Sequence, residues 1–261
     1  MNLLKTFCCC LGILASINGY CQPGMTITEA ELRFAQQARE ENTKAAFLSC
    51  LDSNGVVFNR GKAINGLQYW QRAPEEGPRL LWLPALSLTS AKGDLGFTTG
   101  PFELRDSLAG TVLTCGQYIS VWKRNAKMEW KLLADLGTGY TPTAYPAQVL
   151  APFQVTLLPD TAMVDLYQLE TNLNYATMLY PQSILSREGK QPLQSADTVL
   201  QELTTLPANI EYTPLAAGIA QSNDLGYVYG QAKAGNKTAN YVRIWGHTTK
   251  GWVVLLQAIG L

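Results

Sequence analysis

The sequence predicts an α+β fold built from two tandem copies of one domain. Two observations carry this: a long internal repeat, and helical signals that precede a run of strands in each copy. The stretch Gly93-Asp-Leu-Gly-Phe-Thr-Thr-Gly100 is followed by a hairpin, Gly116–Trp122 to Trp130–Gly137. It returns as Asn223-Asp-Leu-Gly-Tyr-Val-Tyr-Gly230, followed by Asn240–Trp245 and Trp252–Gly260. From Leu80 to Gly100 the copies align without a gap, 130 positions apart, so that Trp82 matches Tyr212, Pro84 matches Pro214 and Asp94 matches Asp224. After a shorter loop, Tyr118 matches Tyr241, Trp122 matches Trp245 and Trp130 matches Trp252. Solenoid units run roughly 20–50 residues, so a period this long is a domain duplication.

Composition agrees. The 261 residues are 47% hydrophobic and 15% charged, which is globular, and each copy is long enough to bury a core. Net charge is zero, and no basic stripe is present to grip phosphates, which argues against a nucleic-acid partner.

Residues 1–22 read as a signal peptide: Lys5, an apolar run from Phe7 to Ser16, then polar Asn18–Gln22 before Pro23. The run is shorter than the ~20 residues a membrane span needs. The expectation is an exported protein, periplasmic or secreted. Cys21 leaves lipid anchoring as an alternative, which the bulk of Tyr20 before it argues against. Signal removal leaves Cys50 and Cys115, which an oxidising compartment could pair or which could stay buried thiols.

In copy 1 (25–140), Thr28-Glu-Ala-Glu31 has capping-box spacing, and a helix is expected from Thr28 towards Leu51. Asp52–Gly55 reads as a turn, Val56–Phe58 as a short strand, Arg60–Lys62 as a second turn and Asn65–Trp70 as a short helix. Four antiparallel strands should follow: Leu80–Thr89, Asp94–Arg105, Thr111–Arg124 and Glu129–Leu136. Alternation in the third puts Tyr118, Ser120 and Trp122 on one face and Ile119 and Val121 on the other. Residues 141–159 form a stiff Pro-rich connector. In the degenerate copy 2 (160–261), Thr161–Tyr175 repeats the first helix, Ala196–Leu203 replaces the small helix and a sheet runs from Ile210 to Leu261.

A capped helix, a small helix, a strand with Trp82-Leu-Pro84, the Gly93–Gly100 strand, then Tyr118–Lys123 and Trp130–Gly137, is an order that resembles the nuclear transport factor 2-like superfamily, nearest to SnoaL-like and kinase-association-domain-like domains of unknown function. The resemblance covers about residues 26 to 140 well and 160 to 261 weakly. It implies tandem cones, each a curved antiparallel sheet wrapped around N-terminal helices. It includes isomerases, cyclases, dehydratases and epoxide hydrolases, as well as proteins that only bind a ligand or partner, so fold alone does not settle function.

Asp94 is the candidate general base, if it lies in a cone shielded from water; otherwise it bonds its own turn. Tyr69, Trp70, Trp82 and Tyr118 could line a pocket, with Arg60 or Asp94 as polar contact and Arg105 and Lys123 as further cations. Tyr69 and Trp70 have no counterpart in copy 2 and are the better ligand candidates. Asp135 reads as a surface ion pair with Lys131. His247, the single histidine, falls in a hairpin and is expected in solvent; copy 1 has none, so His-ligated zinc and a Ser-His-Asp triad are excluded there. No metal site or cofactor is expected. The leading reading is a non-catalytic binder of a small apolar or amphipathic molecule. The alternatives are an isomerase or hydrolase using Asp94, and a structural or partner-binding tandem. The two copies are expected to pack as an intramolecular pseudo-dimer.

Overall fold

The computed structural model describes residues 24–140 and 150–261. The expected signal peptide and the first part of the connector lie outside the described residues.

The first unit opens with α1 (Ile27–Glu40) and α2 (Thr43–Cys50). It continues with β1 (Leu51–Asn59), β2 (Lys62–Asn65), α3 (Gly66–Arg72), β3 (Arg79–Trp82), β4 (Leu86–Thr89), β5 (Leu95–Arg105), β6 (Val112–Arg124) and β7 (Trp130–Tyr140). The second unit repeats the order with α4 (Leu166–Thr171), α5 (Tyr175–Met178), β8 (Leu179–Arg187), β9 (Lys190–Gln194), α6 (Ala196–Leu203), β10 (Glu211–Ile219), β11 (Leu225–Ala234), β12 (Lys237–Thr248) and β13 (Gly251–Ile259). The sheets have the same strand order, β2-β1-β7-β6-β5-β3 with β4 beside β5, and β9-β8-β13-β12-β11-β10. Register repeats too. Trp82 lies opposite Phe102 as Tyr212 lies opposite Ala232, and Gly96 opposite Trp122 as Gly226 opposite Trp245.

Several expectations are corrected. The sheets are mixed: β1 runs parallel to β7, and β8 to β13. The sequence offers two overlapping capping boxes, and the one used is Thr26/Glu29, whose side chains and backbones bond reciprocally. The long first helix is two, because the Asn42 side chain caps α2 through the Ala45 amide. Asp52–Gly55 is a bulged part of β1, across which the pairing with β7 shifts register. The Leu80–Thr89 strand splits at Pro84, which has no N–H for the ladder; Leu83 and Ala85 still bond to Pro101 and Thr99. Opposite this break a side chain at Gly100 would meet the Leu83 carbonyl at 2.0 Å, so only glycine fits. The helix expected over Thr161–Tyr175 is the shorter pair α4 and α5. Cys50 and Cys115 are both buried thiols, the first in the helix layer and the second on β6.

Each sheet is covered on one face by its own helices. The first interior packs Phe34, Phe47, Trp82, Tyr118, Trp122 and Trp130; the second packs Leu166, Val199, Tyr241, Trp245 and Val254. The opposite faces of the two sheets share a third cluster: Phe97, Ile119, Val121 and Leu136 from the first, Ile184, Val242, Ile244 and Leu255 from the second. Residues 150–159 cross its margin, adding Leu150, Phe153, Val155 and Leu157. Side-chain amides hold this stretch: Gln194 and Gln182 accept from the Ala151 and Gln154 amides.

A candidate ligand cavity in the first cone

Alternation on β6 sends Tyr118, Ser120 and Trp122 towards the helices and Ile119 and Val121 into the shared cluster. The capping register of α1 turns Glu31 inward, where it is fully buried. Glu31 accepts three hydrogen bonds: Trp82 Nε1 donates to Oε1 at 2.5 Å, and Trp122 Nε1, at 2.9 Å, and the Thr98 hydroxyl donate to Oε2. Burial pushes this carboxyl up to about 7; its donors pull it down and nearby Asp135 adds to the rise.

Beside this cluster lies a cavity of about 150 Å³, lined by Phe34, Phe47, Leu80, Trp82, Phe102, Tyr118, Asp135 and Gly137. Asp135 is the charged residue in the lining. One of its oxygens accepts from Ser120 Oγ at 2.7 Å, and burial pushes its carboxyl up to about 6. Gly137 is exposed and marks the mouth. Such a cavity takes a benzene-sized molecule. It falls short of the roughly 300–1,000 Å³ typical of drug-sized ligands.

Of the six residues singled out from sequence, Trp82 and Tyr118 line this cavity. Trp70 stands behind it, its ring stacked on Phe47 at 4.5 Å, and Tyr69 meets Trp70 edge-on, further out. Arg60 lies at the exposed β1–β2 turn. Asp94 is outside the cavity: it accepts from Ser90 Oγ at 2.9 Å and from the Gln221 amide of the second unit at 3.0 Å. The pocket carboxylate is Asp135, which does not pair with Lys131; that ammonium donates to the Ser49 carbonyl. Arg105 is paired with Glu103. His247 is not in solvent: its Nδ1 lies 2.7 Å from the Leu158 carbonyl, and its ring is beside Trp252. Glu31 and Asp135 were within reach of the sequence. Glu31 has the helical spacing of Ile27 and Phe34 in α1, and Asp135 alternates with Ala134 and Leu136, which face the shared cluster, after the bulge opposite Trp122 shifts the phase set by Leu132.

In the second cone the equivalent space is filled. Arg243 stands at the position of Ser120 and is fully buried. Its Nε and Nη2 donate to Gln257 Oε1 at 2.9 and 2.7 Å, Nη2 to Tyr175 at 2.8 Å, and Nη1 to Glu170. Glu170 also accepts from Trp245 Nε1, as Glu31 does from Trp122. Among the described residues no group of three or more His, Cys, Asp or Glu could hold a metal ion.

A mixed sheet of one strand order, covered on one face by short helices, occurs twice in this chain. Twice over, this is the α+β order of elements that the resemblance to the nuclear transport factor 2-like superfamily implies. No protein-family profile and no curated protein matches the sequence. Solved structures similar to it include a proposed ketosteroid isomerase from Parabacteroides distasonis, at 17% identity and a TM-score of 0.37, covering 48% of this chain and 98% of that one. A ketosteroid isomerase-like protein from Erwinia carotovora atroseptica matches at 14% identity and a TM-score of 0.36, over 44% of this chain and 95% of its own. An NTF-2 like protein of unknown function from Shewanella oneidensis matches at 15% identity and a TM-score of 0.28, over 33% and 79%. No helix among the described residues is long and apolar enough to cross a membrane.

Proposed function

We propose that the protein is an exported binder of a small molecule, with its site in the first cone and the second cone serving as scaffold. The observation that carries this reading is the contrast between the halves. The first keeps a cavity of about 150 Å³ walled by aromatic rings, while the matching space in the second holds the Arg243 side chain. An aromatic cavity with one convergent polar group is the usual form of a small-molecule site. Export is supported by the order of Lys5, the Phe7–Ser16 run and Pro23. The test is the indole N–H resonance of Trp82 in the full chain, titrated with toluene. A saturable shift is expected, and a folded protein whose Trp82 signal ignores toluene overturns the reading.

A second reading, a proton-transfer enzyme, is favoured by one observation. Asp135 faces the cavity with a carboxyl pushed up to about 6, which suits a general base near neutral pH. In that reading Asp135 takes the role that the sequence offered to Asp94.

A further inference from the structure

The duplication supplies an internal reference for what the first cavity lacks. Register places Ser120 against Asp135 on β6 and β7, and Arg243 against Gln257 at the same point of β12 and β13. The second cone thus holds a guanidinium between a carboxylate and a neutral amide. The first has a carboxylate in each of those two places, Glu31 and Asp135, and a hydroxyl where the cation stood. The side chains that face Asp135 are Ser120 and Tyr118 from β6 and Glu31 from α1, while Lys131 of β7 reaches Ser49 instead. Among the described residues no cation answers the two acids.

The aromatic setting is repeated as well. The Arg243 guanidinium lies 4.9 Å from the Tyr241 ring, 5.0 Å from Tyr212 and 5.7 Å from Tyr175. The matching residues in the first cone, Tyr118 and Trp82, both line the cavity, and Trp is the better face for a cation.

We propose that the first cone binds a small organic cation, an alkylguanidinium or a primary ammonium on a short apolar group, seated where the Arg243 guanidinium lies in the second cone. This rests on the reading of that cavity as a ligand site. The charged end bonds the Asp135 oxygen not facing Ser120, and the apolar end packs on Phe34, Phe47 and Phe102. Burial holds Asp135 and Glu31 partly protonated near neutral pH, and an arriving cation favours their ionised forms, so binding releases protons.

The test is calorimetric titration of the full chain with propylguanidinium, benzylamine and toluene at about pH 8 and about pH 5. The cations are expected to bind about tenfold or more tighter at the higher pH, with toluene unaffected. Asp135→Asn keeps a polar partner for Ser120; it should weaken the cations about tenfold more than it weakens toluene. Ser120→Arg, which transplants the plug of the second cone, should abolish binding of all three. Cations that bind no tighter than toluene, or that ignore Asp135→Asn, overturn the proposal while leaving the ligand-site reading standing. If none of the three binds to folded protein, both fail. Should Ser120→Arg not fold, Asp135→Asn decides.

Discussion

Asp94 and Asp224 are reciprocal: each carboxylate leaves its own unit and accepts a backbone N–H from the turn ahead of the matching strand in the other. Asp94 Oδ2 lies 3.0 Å from the Gln221 amide, and Asp224 Oδ2 lies 2.8 Å from the Ala91 amide. The other oxygen of each takes a serine hydroxyl, Ser90 for Asp94 and Ser222 for Asp224. Truncating either acid removes a part-buried, charge-assisted hydrogen bond between the units together with its serine partner, at about 1–3 kcal/mol. Asp94→Ala and Asp224→Ala should each lower the unfolding free energy from urea titration by that amount, and the double variant should depart from additivity. Toluene binding in the first cone should not change. A binding defect in folded Asp94→Ala would return this residue to the site.

Trp70 and Trp122 separate ring packing from indole bonding. Trp70 Nε1 is buried and meets no acceptor among the described residues, whereas Trp122 Nε1 donates to Glu31 and to Thr98 Oγ1. Trp70→Phe keeps the stack on Phe47 and removes an unmet donor, so its stability should stay within ~0.5 kcal/mol of wild type or rise. Trp122→Phe should lose about 1–3 kcal/mol. Thermal denaturation of the two variants, side by side, checks the contrast.

Stability should fall as pH rises across the neutral range. Glu31 is raised from 4.5 to about 7 and Asp135 from 3.8 to about 6, both chiefly by burial. A carboxyl raised in the folded state contributes stability that is fully present below its unfolded value and is lost as pH rises through its folded value. The window is therefore about pH 4 to 7, and the Glu31 contribution is on the order of 3 kcal/mol. Glu29 and Glu202 are lowered, by hydrogen bonds to Thr26 and Lys190, and act in the opposite sense below that window. Urea titrations from pH 5 to 8 should show the decline, and Asp135→Asn should flatten its lower part. A flat profile in wild type would contradict the burial of both acids.

Arg243→Ala removes the buried cation and leaves Glu170 uncompensated, which costs about 3–5 kcal/mol. Adding Glu170→Gln should recover part of that loss, because the uncompensated charge goes too. Circular dichroism melts of the single and double variants give the comparison; a double variant no better than the single would argue that packing, not charge, holds the site.

Much of the architecture was legible because the repeat carried it. Trp82 with Tyr212 and Trp122 with Trp245, matched by sequence, occupy matching ladder positions in the sheets. The small helix at Ala196–Leu203 falls where expected. Local signals failed where two were in competition. Thr26 and Thr28 both offered a capping box, and Leu51–Gly55 carries turn residues yet is held as a bulged strand by its neighbour β7. The site was least legible. Asp94 was offered as a carboxylate that a cone could shield, while its recurrence as Asp224 pointed to a turn-bonding role; the two carboxylates in fact bond the turns of each other's units. What marks the first cavity is a difference between copies, Ser120 against Arg243 and Asp135 against Gln257, which shows only once strand register fixes the equivalences.

The parallel pairing of β1 with β7 bears on the order in which the chain leaves the ribosome. The first strand of each unit waits for the last before its sheet can close, so folding within each unit is governed by distant partners and is slow. The first unit can close once Tyr140 has emerged, but Phe97, Ile119, Val121 and Leu136 then lie bare until the second sheet is synthesised to cover them. A nascent half-protein of this kind is sticky, and chains stalled or truncated between the units should depend on chaperones or pair with one another through that face.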